Sequence, residues 1–156
     1  MKILFLVTIS IASITPCRAG NESLVGTWSL VSMEKQEANG QWVARCPSPN
    51  GLITYTNQGY MAVGINCMKA EGSNEPSSEI KDGIFYTGTY VFKGNLLSHQ
   101  VLNSSDPIFY QKELSREVQF NRDGSITLVG KGKTGMLVRL VWKRAQSKPL
   151  IFRPTD

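Results

Sequence analysis

Gly51-Leu52-Ile53-Thr54-Tyr55-Thr56-Asn57-Gln58-Gly59-Tyr60-Met61-Ala62-Val63-Gly64-Ile65-Asn66 is the stretch that decides the fold of this chain. Two runs rich in apolar, β-branched and aromatic residues, Leu52 to Thr56 and Tyr60 to Asn66, flank a short break. Asn57 and Gly59 in that break tolerate positive φ, so the segment predicts a β-hairpin. If Thr56 faces Tyr60, the register carries Cys67 opposite Pro49, three residues from Cys46.

The same rhythm extends in both directions. Leu24 to Met33 precedes the hairpin, and Ile84 to Phe92 leads through Lys93-Gly94-Asn95 into Leu96 to Leu102. Tyr110 to Phe120 meets Ile126 to Val129 across Asn121-Arg122-Asp123-Gly124, and Met136 to Lys143 follows. Period-two alternation with turns every ten or so residues predicts an all-β, single antiparallel up-and-down barrel of about eight or nine strands. Closure leaves such a sheet without exposed edges; an open sandwich is the alternative. Met68 to Asp82 breaks the rhythm. It is polar, holds Gly72, Ser73, Pro76, Ser77 and Ser78, and has the length of a lid or of slack, with one helical turn expected over Ser77 to Lys81.

The N-terminus has another character. Met1-Lys2 is followed by an apolar run, Ile3 to Ile14, broken by Thr8, Ser10 and Ser13, and then by Thr15-Pro16-Cys17-Arg18-Ala19. Charge, apolar run and small residues in that order predict a secretory signal over residues 1–19, cut after Ala19, with residues 20–156 as one barrel domain. The run is shorter than the roughly 20 residues that span a bilayer, so no membrane span is expected. The polar residues within it do not alternate as a buried strand requires. Pro16 disfavours a lipid anchor on Cys17. The expected location is secreted or periplasmic.

A domain of this size buries roughly two thirds of its unfolded surface, enough for a core without a metal. Removing Lys2 and Arg18 but no acid lowers the formal charge from +5 to +3. The basic residues Lys131, Lys133, Arg139, Lys143, Arg144 and Lys148 read as a solvated face, and no nucleic-acid module accompanies them. Cys46 and Cys67 remain after cleavage; an even pair in an exported chain reads as a disulfide, against two buried thiols. His99 is the only histidine, so no zinc site is expected, nor any other metal or cofactor. No feature sets an oligomeric state.

Alternation assigns faces. Leu24, Gly26, Trp28 and Leu30 align; so do Tyr86, Gly88, Tyr90 and Phe92; so do Leu97, His99 and Val101. Leu114, Arg116, Val118 and Phe120 share a face, as do Val138, Leu140 and Trp142. Pointing the apolar faces inward carries His99 and Arg116 inside, near the hydroxyls of Tyr86 and Tyr90. A buried guanidinium without partners costs several kcal/mol. Arg116 must therefore meet an acid, acceptors, water or an anion. Either it ties a strand end to Glu113 or to backbone carbonyls, with His99 a satisfied half-buried ring, or the two mark a site.

Leu24-Val25-Gly26-Thr27-Trp28-Ser29-Leu30-Val31-Ser32, the 51–61 stretch, Tyr86-Thr87-Gly88-Thr89-Tyr90, His99, Arg116, the Asp123-Gly124 turn and Arg139-Leu140-Val141-Trp142-Lys143-Arg144 occur in that order. Together they resemble the lipocalin-like domain proteins of bacteria, from about Leu24 to Arg144. The resemblance implies a barrel with a ligand-sized cavity. It also implies that Trp28 stacks with a basic residue near the last strand, Arg144 or Arg139, closing one barrel end. The export signal, the cysteine pair and the polar 68–82 segment depart from many such proteins and argue against a cytosolic metabolic role.

The function expected is a binder of a small hydrophobic molecule, with or without a carboxylate, with Tyr86, Tyr90, His99, Arg116 and Trp142 as ligand contacts. The tail of such a ligand is expected along Trp142, Phe120 and Leu140. A cyclase, isomerase or hydratase would use His99 as acid or base in the same cavity. Against an enzyme, there is no nucleophile elbow, triad order, metal set or phosphate loop. A third possibility is a solid barrel acting through its surface.

Overall fold

The computed structural model describes residues 23–76 and 83–146. The signal segment 1–19 and the turn expected at 77–81 lie outside the described residues. Nine strands follow one another: β1 (Gly26–Gln36), β2 (Trp42–Ala44), β3 (Ser48–Tyr55), β4 (Tyr60–Met68), β5 (Ile84–Lys93), β6 (Leu96–Ser104), β7 (Glu113–Phe120), β8 (Ile126–Lys131) and β9 (Leu137–Arg144). Every pairing is antiparallel, β3 to β9 run in sequence order, and β1 joins β3 to β9. Eight strands therefore close a barrel, and β2 is a short extra strand on the far half of β1. The closed up-and-down barrel agrees with the alternation in the sequence.

The hairpin register is as read: Tyr55 faces Met61 and Pro49 faces Cys67. Cys46 and Cys67 form a disulfide with Cα atoms 5.5 Å apart. Two bulges adjust the faces. One lies between Leu30 and Ser32 of β1, leaving Val31 outside and turning Met33 inward. The other lies opposite Thr87 and Gly88, where Leu102 of β6 is the extra, exposed residue. Each adds one residue to one strand and shifts the inward set by one place.

One expected strand start is corrected. Tyr110 to Lys112 is not strand. Phe109 N–H donates to Asp106 O, Lys112 N–H donates to Phe109 O, and Gln111 sits at φ 55°, so a turn occupies this stretch and β7 begins at Glu113. The exposed side chains of Tyr110, Gln111 and Lys112 bury nothing that would hold them in the sheet.

The barrel is solid at one end and hollow at the other. At the end holding the 56–59, 93–95 and 121–124 turns, Trp28, Tyr55, Leu97 and Ile126 are buried and fill the lumen. The Arg144 guanidinium lies 3.9 Å over the Trp28 ring and donates to the carbonyls of Val25 and Ser23. Gly26, at φ 123°, leaves room for it, because a Cβ there would collide with Arg144 Nη1. The other end carries the disulfide and the 105–112 and 132–136 connections.

Candidate functional site

The hollow end contains a cavity of about 220 Å³. Met33, Ile53, Ile65, Leu128, Leu140 and Trp142 supply apolar walls, and Tyr86, His99 and Arg116 supply polar ones. It reaches the surface among Arg45, Asp106, Gly132 and Lys133. Pockets for drug-sized ligands run to about 300–1,000 Å³, so an occupant here is small.

His99 is the most buried polar side chain of the barrel, at 1 % exposure. Its Nε2 lies 3.0 Å from the Tyr55 hydroxyl and its Nδ1 lies 3.2 Å from the Tyr86 hydroxyl. Three inward patterns build this triad: Ile53 and Tyr55 on β3, Tyr86 on β5, and Leu97, His99 and Val101 on β6. Burial pushes the His99 pKa down to about 3, and the nearby positive charge of Arg116 adds to the effect. Burial likewise raises Tyr55 and Tyr86 above the ordinary phenol value. The ring is therefore neutral at neutral pH. An imidazole that binds a proton only near pH 3 is poorly matched to acid or base work at neutral pH.

Arg116 projects from β7 across Gly130 of β8. A Cβ at Gly130 would lie 2.6 Å from Arg116 Cδ and 2.7 Å from its Nη1. Nη1 donates to the carbonyls of Ser115 (2.8 Å) and Lys131 (3.3 Å), beyond the last β7–β8 ladder pair, Glu117 with Val129. Glu113 is not its partner, for that carboxylate accepts from Ser98 Oγ at 2.6 Å. Among the described residues neither Arg116 nor Arg45 meets a carboxylate, whereas Lys133 pairs with Asp106 at 2.6 Å. Arg116 is thus a strand-end clip through one nitrogen and a cavity wall through the rest of its side chain.

The residues singled out from sequence divide by depth. Tyr86, His99, Arg116 and Trp142 line the cavity together. Tyr90 does not. Its ring packs edge-on against Tyr55, centroids 4.8 Å apart, and its hydroxyl donates to Thr56 O at 2.8 Å in the solid end. Phe120 also lies outside the cavity and packs on Phe92, 6.1 Å between centroids. Arg139 lies over Trp42 instead of Trp28 and binds Glu34 at 2.6 Å. Trp142 has its indole N–H buried without a partner among the described residues, unlike Trp28, whose N–H donates to Leu24 O at 2.8 Å. Tyr55 was not among the expected site residues. Its signal was present, since Ile53 and Tyr55 alternate with Thr54 as the other inward pairs do. Among the described residues no group of three His, Cys, Asp or Glu side chains is arranged to hold a metal, and no helix is long and apolar enough to cross a membrane.

A family model described as a lipocalin-like domain matches residues 25–145. No curated protein matches the sequence. Solved structures similar to the chain include a redesigned β-barrel, 13 % identical with a TM-score of 0.46, over 79 % of this chain and 92 % of that one. A de novo designed fluorescence-activating β-barrel is 13 % identical with a TM-score of 0.42, over 78 % and 93 %. A variant of the fluorescent protein UnaG is 15 % identical with a TM-score of 0.37, over 80 % and 97 %.

Proposed function

The chain belongs to the lipocalin-like domain family, and on that premise we propose that it is an exported barrel that binds one small hydrophobic molecule carrying a carboxylate. The single observation that carries this reading is the cavity itself: an apolar hollow bordered by the guanidinium of Arg116, with no carboxylate on that guanidinium among the described residues. A solid barrel would have neither. The Nη1 clip orients the guanidinium and leaves its other N–H groups for a ligand. A charge-assisted hydrogen bond from such a group is about twice as strong as a neutral one.

The ligand contacts in this reading are Arg116 for the carboxylate, Tyr86 and His99 for the polar wall, and Trp142 with Leu140 for the apolar body. Tyr90 contributes indirectly, by bracing Tyr55. The disulfide agrees with an oxidising compartment, as does the signal-like order of residues 1–19. The test is calorimetric titration of octanoate into the protein and into Arg116→Leu, alongside mass spectrometry of small molecules that co-purify. Arg116→Leu should weaken octanoate by about 1.5–3 kcal/mol, the worth of a hydrogen bond to a charged group. Equal affinity in the two proteins, or no binding by the wild type, refutes the proposal.

A further inference from the structure

Counting protons in the Tyr55–His99–Tyr86 chain narrows the ligand further, on the reading just given. A neutral imidazole carries one N–H and one bare nitrogen. Two hydroxyl protons and one ring proton are thus available, and the two contacts to His99, at 3.0 and 3.2 Å, use two of them. One hydroxyl proton is left over. If Tyr86 donated to Nδ1, the spare proton would belong to Tyr55, which is 1 % exposed and does not line the cavity. If instead Tyr55 donates to Nε2, Nδ1–H donates to Tyr86, and the spare proton belongs to the one tyrosine of the pair that does line it. Leaving a buried donor unmade is costly, so an acceptor in the cavity selects the second arrangement.

The indole N–H of Trp142 is a second buried donor without a partner among the described residues, on a wall of the same cavity. Neither donor is bonded to Arg116, whose Nη1 serves Ser115 and Lys131. The cavity wall therefore carries a cation, Arg116, and two uncharged donors, Tyr86 and Trp142, and among the described residues no carboxylate deep inside to receive a proton. Among the described residues the one acid on its wall, Asp106, stands at the mouth and is held by Lys133. We infer that the ligand is an apolar oxo acid, its carboxylate on Arg116 and an uncharged carbonyl oxygen on the donors of Tyr86 and Trp142. An alcohol at the same place can accept from Tyr86, but its own proton is then stranded in the cavity. Tyr55 and His99 act as positioning residues: they fix which way Tyr86 donates.

The test is calorimetry with octanoate, with the octanoates bearing a keto group at carbon 4, 5, 6 or 7, and with the four matching hydroxy acids. At one position or more, the oxo acid should bind tenfold or more tightly than octanoate and than its own hydroxy acid, in keeping with the penalty for an unpaired buried donor. Tyr86→Phe should reduce the ratio of oxo acid to octanoate severalfold, with the Trp142 N–H left as the remaining donor. A second measurement needs no variant: ring ¹⁵N shifts of His99 in the wild type should report the Nδ1–H tautomer once the oxo acid is bound. Octanoate binding with no oxo acid more than threefold better overturns this inference and leaves the proposed function standing. So does a hydroxy acid that equals its oxo acid, or an Nε2–H tautomer in the complex. Failure of every acid, octanoate included, overturns both.

Discussion

Arg144 and Trp28 face each other across the β1–β9 seam as a directly paired couple, with the guanidinium 3.9 Å above the indole. The pair closes the seam where the barrel would otherwise fray. The guanidinium does so with its face on the ring and its edge on the carbonyls of Val25 and Ser23. Stacking, hydrogen bonds and the apolar stem all disappear in Arg144→Ala. Urea unfolding should show a loss of about 1–2 kcal/mol, estimated from cation–π and stem packing. A loss under a few tenths would mean that the seam holds without the pair.

Gly130 is expected to matter through its neighbour. An alanine there would place Cβ 2.5 Å from Ser115 O and against the Arg116 side chain, so either the strands separate or Arg116 leaves. Gly130→Ala should cost about 1–3 kcal/mol of stability, typical of overpacking, and should weaken octanoate as Arg116→Leu does. Gly132→Ala, at the mouth, is the control for a glycine that does not carry the arginine. Undiminished octanoate affinity in Gly130→Ala would show that the guanidinium does not need this cradle.

Acid should destabilise the barrel through His99. The folded ring takes its proton near pH 3 and the unfolded one near 6.5. The unfolded state therefore binds more protons as pH falls below 6.5. The stability is fully present above 6.5 and is lost progressively down to about pH 3. By pH 5 the loss is about 2 kcal/mol. Denaturation curves at pH 7 and pH 5 measure it, and His99→Leu should flatten the difference. A wild type as stable at pH 5 as at pH 7 contradicts a buried neutral ring.

The disulfide should be intact and stabilising. It closes a loop of 21 residues around the 56–59 turn, worth about 3 kcal/mol in the chain-entropy account. Cys46→Ala with Cys67→Ala should lose that amount in urea without dissolving the barrel, which the β1–β9 pairing closes independently. Thiol titration of protein prepared without reductant should find both cysteines blocked.

Much of this was legible in the sequence, for one reason: a closed barrel has two faces per strand, and alternation reports faces directly. The turn at Asn57-Gln58-Gly59 fixed the register that brings Cys67 opposite Pro49, and the inward settings of Tyr86, His99 and Arg116 followed from apolar neighbours. Depth along the barrel is a different coordinate. Alternation gives Tyr86 and Tyr90 the same standing, yet one lines the cavity and the other bonds to the Thr56 carbonyl. Phe120 went astray in the same way. Nor could sequence show what Arg116 grips, because a backbone carbonyl has no letter of its own. β2 is three residues long, too short to alternate. Tyr55 was overlooked although its face was readable, because its partner His99 is far off in sequence and nothing local joins them.

The solid end has a kinetic side. Among the described residues, a hollow sealed at one end by Trp28, Tyr55 and Ile126 opens at the other, among Arg45, Asp106, Gly132 and Lys133. Whatever enters must leave by the same way, in reverse. A change at that mouth that leaves the seated guest's surroundings as they were therefore speeds or slows arrival and departure by the same factor and leaves the equilibrium where it was. Changes around His99 alter how long a guest stays while its rate of arrival holds.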